Sequence, residues 1–262
     1  MHIDVYRDPG VVDAYRNLDY LEPAEEWLLR EYESSLPQMR MLDVAVGCGR
    51  TTRYFADRVQ SYLGVDFSPG MIEVCRERFA ETDRLRFEVA DMSDMSGVTS
   101  ESFDLVLVSY NAMSALDHAA RQRAFREFAR VMRAGGTLLF SNFNIPYVPI
   151  SFGLWTAFRK ATLSNPKTYY WRLKKWVRIN YLLNDHRLVK DVSKLGHVEL
   201  IDGYHDYRLK HYYVRGSEQI AQLERDFENI RVFARGGEEL LTPAAWDNAT
   251  DEWLFYFATK RR

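Results

Sequence analysis

Long apolar runs are missing from this sequence of 262 residues. The longest, Val148 to Phe158, holds polar residues and falls short of the roughly 18 to 20 apolar residues of a membrane span. Cysteine is scarce. Cys48 and Cys75 stand alone, which excludes a disulfide framework and points to a reducing, cytoplasmic setting. No Cys/His cluster supplies the about four ligands of a zinc site, so no metal is expected. The opening Met-His-Ile-Asp-Val-Tyr-Arg-Asp lacks the apolar core of a signal peptide. A general excess of positive charge is missing too, because the net charge is −2. That argues against nucleic acid as the main partner.

What is present is an apolar supply of 47%, enough for a sizeable core. The charge is unevenly spread. Residues 1–144 carry 16 basic and 23 acidic side chains, whereas residues 145–215 carry 13 and 5. Apolar periodicity predicts helix over 10–35, broken near Pro23. Strands follow at Met39–Val46, Tyr62–Asp66, Leu85–Ala90, Phe103–Ser109 and Thr137–Ser141. Helices at Thr51–Val59, Ser68–Glu81 and Ala119–Met132 alternate with them, and Gly135-Gly136 reads as the stop of the last. Such alternation predicts a doubly wound, mostly parallel α/β sheet. The pattern changes after 144. A basic, aromatic and mainly helical stretch precedes two extended segments within 197–214. A helix at Ser217–Phe227 and strands at Ile230–Ala234 and Trp253–Ala258 then close the chain.

The most informative stretch is Met41-Leu-Asp-Val-Ala-Val-Gly-Cys-Gly-Arg-Thr51. A strand feeds a glycine turn and then a helix start, which cradles a polar ligand. Asp66 ends the next strand 19 residues after Gly47 and can accept hydrogen bonds from both hydroxyls of a ribose. Asp91 and Met92 follow the third strand, where a carboxylate and a backbone N–H can hold adenine. Ser109 and Tyr110 end the fourth. A dinucleotide site fits less well, because Thr52 stands where the fingerprint needs its third glycine. Asp43, just before the turn, also suits a cationic ligand better than pyrophosphate.

Leu42-Asp-Val-Ala-Val-Gly-Cys-Gly, Gly64-Val-Asp-Phe-Ser-Pro-Gly-Met71, Ala90-Asp-Met92 and Arg130-Val-Met-Arg-Ala-Gly-Gly136 resemble the motifs of class I S-adenosylmethionine-dependent methyltransferases. The resemblance spans about residues 10–144 and the last helix and strands. It implies a seven-stranded Rossmann-like sheet with an N-terminal helical lid and an α+β insertion after the fifth strand. The implied division is 1–144 for lid and cofactor part, 145–215 for a substrate-cap insertion and 216–262 for the closing elements. The resemblance further implies S-adenosylmethionine as cofactor and S-adenosylhomocysteine as product. Asp43, Ala45, Gly47 and Gly49 would hold the methionine end, Asp66 the ribose, and Asp91 with Met92 the adenine. Tyr15, Phe67, Met71 and Ser109 would complete the site. Ala45 replaces the usual first glycine and Ala134 the usual proline before Gly135.

The acceptor is not specified. No Asn/Asp-Pro-Pro-aromatic element of amino methyltransferases follows the fourth strand, where Ser109-Tyr-Asn-Ala112 stands. A small-molecule or glycan-type acceptor is expected, with oxygen favoured over nitrogen. A hydroxyl acceptor needs a base, and His118, His205 and His211 are candidates, each equally readable as a packing histidine. Tyr20, Asn111, Arg172, Lys175 and Tyr212 are candidate substrate contacts. Thr168-Tyr-Tyr-Trp-Arg-Leu-Lys-Lys-Trp-Val-Arg178 suits an anionic acceptor. With Phe152-Gly-Leu-Trp155 before it, the segment also suits peripheral contact with an anionic membrane. An RNA methyltransferase using this segment, or a cofactor-binding protein without catalysis, are the alternatives.

Overall fold

The computed structural model describes residues 2–154 and 166–262; Trp155 lies outside them. The helical lid begins with α1 (Pro9–Arg16), where Pro9 takes the first turn and the Asp8 side chain accepts from Gly10 N at 2.9 Å. In α2 (Pro23–Glu31), the Glu25 carboxylate reaches back to Glu22 N at 2.8 Å, a capping box.

Five parallel strands follow: β1 (Arg40–Val44), β2 (Ser61–Asp66), β3 (Leu85–Val89), β4 (Phe103–Val108) and β5 (Met132–Asn144). Between them lie α3 (Thr52–Phe55), α4 (Pro69–Arg78) and α5 (His118–Val131). The third of these, capped by Asp117, stops at Val131 without using Gly135-Gly136. Those glycines lie inside β5 instead. Gly135 has φ +81°, and a β-carbon on Gly136 would come within 3.0 Å of Arg133 O and 3.2 Å of Asp104 O. The backbone thus bends close against β4, where the strand register shifts.

The insertion holds α6 (Val148–Ser151), α7 (Pro166–Val177), α8 (His186–Lys190) and the hairpin β6 (His197–Leu200) and β7 (His211–Val214). The chain closes with α9 (Gly216–Leu223), β8 (Phe227–Ala234), β9 (Glu239–Leu240), α10 (Pro243–Asn248) and β10 (Trp253–Lys260). The sheet order is β3-β2-β1-β4-β5-β10-β8-β9, with β10 antiparallel to both neighbours. Seven of these strands are the expected ones. The sheet is nonetheless ten-stranded, extended by the short β9 and by the insertion's hairpin. The hairpin joins because β7 pairs in parallel with the end of β5, Phe143 opposite Tyr213.

Alternation along β4 divides the core. Leu105 and Leu107 face the layer of α2, whereas Val106 and Val108 face α5. A third cluster of Val5, Val11, Val12, Cys48 and Met71 glues the lid onto the glycine turn. Both cysteines are buried free thiols. No helix among the described residues is long and apolar enough to cross a membrane.

Candidate cofactor and acceptor site

The turn after β1 is left-handed at Ala45 (φ 55°), Gly47 (φ 56°) and Gly49 (φ 80°). At Ala45 this conformation costs about 1–2 kcal/mol that a glycine would not incur. The two glycines serve differently. A β-carbon on Gly47 would meet nothing within 4 Å, so this backbone faces open space. One on Gly49 would lie 2.5 Å from the Phe79 ring, so Gly49 is needed for packing behind the turn.

In front of the turn lies a cleft whose space, open solvent included, is about 950 Å³. Ala45, Gly47, Asp66, Asp91 and Met92 line it, together with Tyr15, Phe67, Met71 and Ser109. Each Asp66 carboxylate oxygen accepts one backbone N–H, from Ser68 at 2.9 Å and from Gly47 at 3.0 Å. Two fixed oxygens at the carboxyl edge of the sheet suit a pair of vicinal hydroxyls. Burial pushes this carboxyl up to about 6, against the two amide hydrogen bonds. Asp91 Oδ1 is fixed by Ser93 N at 2.8 Å and Ser93 Oγ at 2.9 Å.

Asp43 does not belong to this lining. It is wholly buried behind the turn, where Oδ2 accepts from Thr51 Oγ1 at 2.5 Å and Tyr62 OH at 2.6 Å. Burial raises it to about 6 as well. The expected convergence of three carboxylates is therefore a convergence of two, with the third holding the turn from behind. Its Oδ1 is left without a partner among the described residues. An open left-handed turn, a clamped diol acceptor, an apolar floor of Met71 and Phe67 and a buried carboxylate behind them fit an adenosyl-sulfonium.

Two residues that the sequence did not single out close the site. Arg50 makes a bidentate ion pair with Glu25 of α2, at 2.8 and 2.7 Å, and donates to Ser109 Oγ and Tyr20 O at 2.5 Å each. Its guanidinium lies 5.3 Å from the rings of both Tyr20 and Tyr110, whose hydroxyls pair at 3.0 Å. The lid is thus bolted to the glycine turn through a buried charge pair. The pairing of Glu25 with Arg50 joins residues 25 positions apart, which no local pattern announces. Tyr6 also lines the cleft, and burial holds its hydroxyl far above the usual phenol range, with Tyr15, Asp202 and Asp66 adding to the effect.

The three candidate histidines separate. His118 Nδ1 meets Tyr212 OH at 2.7 Å and its ring stacks on His197 at 4.4 Å. Tyr212 itself is fully buried and lies 4.2 Å from the Arg121 guanidinium of α5. Strand alternation sends Tyr212 to that layer, away from the cleft, and His211 and Tyr213 to the other, where both rings lie 5.1 Å from Phe143. His205 sits against two lid tyrosines, Tyr6 at 4.9 Å and Tyr15 at 6.4 Å. It opens a run of three left-handed residues, His205, Asp206 and Tyr207 (φ 48°, 55° and 64°). Asn111, also left-handed, follows Tyr110 at the end of β4 with both carboxamide atoms unpaired among the described residues. Arg172 and Lys175 lie on α7, outside the cleft lining.

Residues 41–136 match the family model described as a methyltransferase domain. The fold is that of the class I methyltransferases, and the S-adenosylmethionine-dependent methyltransferase from Mesorhizobium loti superposes with a TM-score of 0.59 at 18% identity over 90% of this chain and 98% of that one. The N-methyltransferase NodS from Bradyrhizobium japonicum gives 0.52 at 14% identity, covering 91% and 94%. The matched segment is less than half of the chain. Among curated proteins, a demethylmenaquinone methyltransferase of Clavibacter sepedonicus is 33% identical over 111 residues, 42% of this chain and 44% of its own. A ubiquinone/menaquinone biosynthesis C-methyltransferase of Geotalea daltonii is 29% identical, over 42% of this chain and 48% of its own. The chain spans about half the length of the curated relatives it matches.

Proposed function

We propose that the protein transfers a methyl group from S-adenosylmethionine to a small organic acceptor, at oxygen in preference to nitrogen. The observation that carries this is the Asp66 carboxylate, clamped by Gly47 N and Ser68 N on the wall of a cleft that also holds Asp91. Asp66 takes the ribose, Asp91 and Met92 the adenine, and the open backbone at Gly47 the methionine end. The cofactor supplies an activated carbon with a thioether leaving group. The chain's own part is to align the acceptor and exclude water under the lid of Tyr6 and Tyr15. The roles of the 145–215 segment as acceptor cap and of α7 as an anion-attracting face belong to the same proposal. Methylation at carbon is a second reading, favoured by relatives named as C-methyltransferases.

Asp66→Ala should weaken cofactor affinity at least tenfold, about 1.4 kcal/mol. Calorimetry checks this. An unchanged affinity rejects the ribose assignment, and a wild-type protein that binds no cofactor rejects the whole proposal.

A further inference from the structure

We propose that the outer face of α7, with the helical turn that continues it, docks the protein on an anionic lipid surface. This narrows the anion-attracting role given to α7 above to one occupant and rests on that role, but not on methyl transfer. Residues 145–184 are forty in a row with seven lysines and arginines and no carboxylate. Five of those cations lie on α7 and the π-helical turn Arg178–Leu183 after it. The inner side of this helix is already satisfied. Trp176 Nε1 donates to Phe152 O at 2.8 Å, Asn180 Nδ2 donates to the same oxygen at 3.2 Å, and Ile179 joins the buried core. The outer side is where an ordinary surface helix would be polar. Here Tyr170, Leu173, Val177 and Tyr181 recur at helical spacing, and all are exposed. One residue on, Trp171, Lys174, Arg178 and Leu182 repeat that spacing as a second row, with Trp171 61% and Leu182 73% exposed.

Nine of the thirteen large apolar side chains exposed among the described residues lie between Ile150 and Leu188. Apolar surface gathered in this way marks an interaction site. Its chemistry selects the partner. The cations draw the face to anionic headgroups, and the tyrosine and tryptophan rings suit the depth of those headgroups. Lysine and arginine stems are long enough to keep their charges at phosphate level while neighbouring leucines enter the acyl boundary. Leu173, Val177 and Leu182 have no ring to stack on a base, so a nucleic acid would leave them in water, whereas acyl chains would cover them. A second copy of the same face would set like charges against one another. The face also stands beside the lid of the cleft. The Arg178 guanidinium lies 4.5 Å from the Tyr207 ring, and a β-carbon on Gly203 would lie 3.4 Å from Lys175 Cε and 3.5 Å from Ile179 Cδ1. His205, in the same turn, packs on Tyr6 and Tyr15 of the lid. Docking therefore carries that turn, and the lid it touches, to the lipid.

The test uses the whole chain with vesicles of phosphatidylcholine, alone or mixed equally with phosphatidylglycerol. In sedimentation, wild type should favour the mixed vesicles by about tenfold or more, and added salt should weaken that binding. Leu173→Ser combined with Leu182→Ser keeps every cation and should lower binding by about tenfold. Its circular dichroism and calorimetric cofactor affinity should match those of wild type. Leu241→Ser, at an exposed leucine outside the patch, should leave vesicle binding unchanged. Lys174→Glu combined with Lys175→Glu should erase the preference for phosphatidylglycerol. Brominated acyl chains should quench tryptophan emission in wild type, and less in Trp171→Phe. Vesicle binding that survives the loss of both leucines overturns the proposal. So does a wild type that ignores both vesicles, that binds single-stranded RNA in their place, or that forms a dimer which the leucine changes dissolve. A wild type that binds the mixed vesicles but not the cofactor supports the docking face and overturns the methyl-transfer reading instead.

Discussion

Two regions at the carboxyl edge of the sheet are built by different means. On the cofactor side, backbone does the positioning. Asp66 is held by two amide N–H groups, and the turn is left-handed at three places within five residues. Around the hairpin of β6 and β7, side chains do it. Asp202, His211, Phe143, Trp253 and Asn111 come from five separate segments, and the Asn111 carboxamide and Trp253 Nε1 have no hydrogen-bond partner among the described residues. A site made of backbone geometry is rigid and common to many chains.

Breaking the bolt between the lid and the glycine turn should have the largest effect. Glu25→Ala leaves the Arg50 guanidinium buried without its counter-charge, at a cost of about 3–5 kcal/mol. Urea denaturation should register that loss, and cofactor affinity should fall with it as the lid loosens. Arg121 sharpens the contrast. It is also fully buried, but its bonds go to neutral groups, Met113 O, Asn142 Oδ1 and Gln219 Oε1, and burial lowers its pKa to about 10. Arg121→Met removes an unpaired charge along with those bonds, so about 1–3 kcal/mol should be lost. A greater loss than in Glu25→Ala would mean that the lone arginine, and not the ion pair, is the anchor.

Titration separates the regions next. Asp43 and Asp66 both rise from the ordinary 3.8 to about 6 by burial. The folded state therefore binds more protons than the unfolded one between those values, and stability must fall as pH rises through that window. Each contributes at most about 3 kcal/mol. Cofactor hydroxyls need the ionised Asp66, so affinity should rise over the same interval. Asp66→Asn should flatten the affinity curve and remove only its own share of the stability slope, leaving that of Asp43. A stability that instead climbs with pH from 4 to 6, as for ordinary paired carboxylates, would contradict the burial argument.

The sequence made the first region legible because backbone sites leave local signatures. Gly47, Gly49, Asp66 and Asp91 all follow predicted strands, and all but Gly49 line the cleft. Asp43 was misread because spacing tells which strand carries a residue, not whether its side chain turns forward or back. Tyr212 was misread by one step of strand alternation: its neighbours His211 and Tyr213 face the rings. Asp202 escaped notice because it lies in a turn that ends in three left-handed non-glycine residues, a conformation no local pattern announces. The ten-stranded sheet was missed for a similar reason. Pairing of β7 with β5 joins residues about 70 positions apart, and nothing in either segment specifies the other.

The smallest effect tests whether the basic helix belongs to the hairpin region at all. Arg178, just after α7, lies 4.5 Å from the Tyr207 ring, which ends the left-handed run that places His205 against the lid. Lys174 lies 5.1 Å from Trp171, itself well exposed. Reversing the charge at Lys174, Lys175 and Arg178 should change stability by only about 1–2 kcal/mol, since two cation–π contacts and solvated charges are all that is lost. Acceptor KM should rise while calorimetric cofactor affinity stays constant, because none of these residues lines the cofactor cleft. Equal loss of both would place Arg178 and Tyr207 in the scaffold of the lid, and the contrast between the two regions would then end at the hairpin and not extend into the helix.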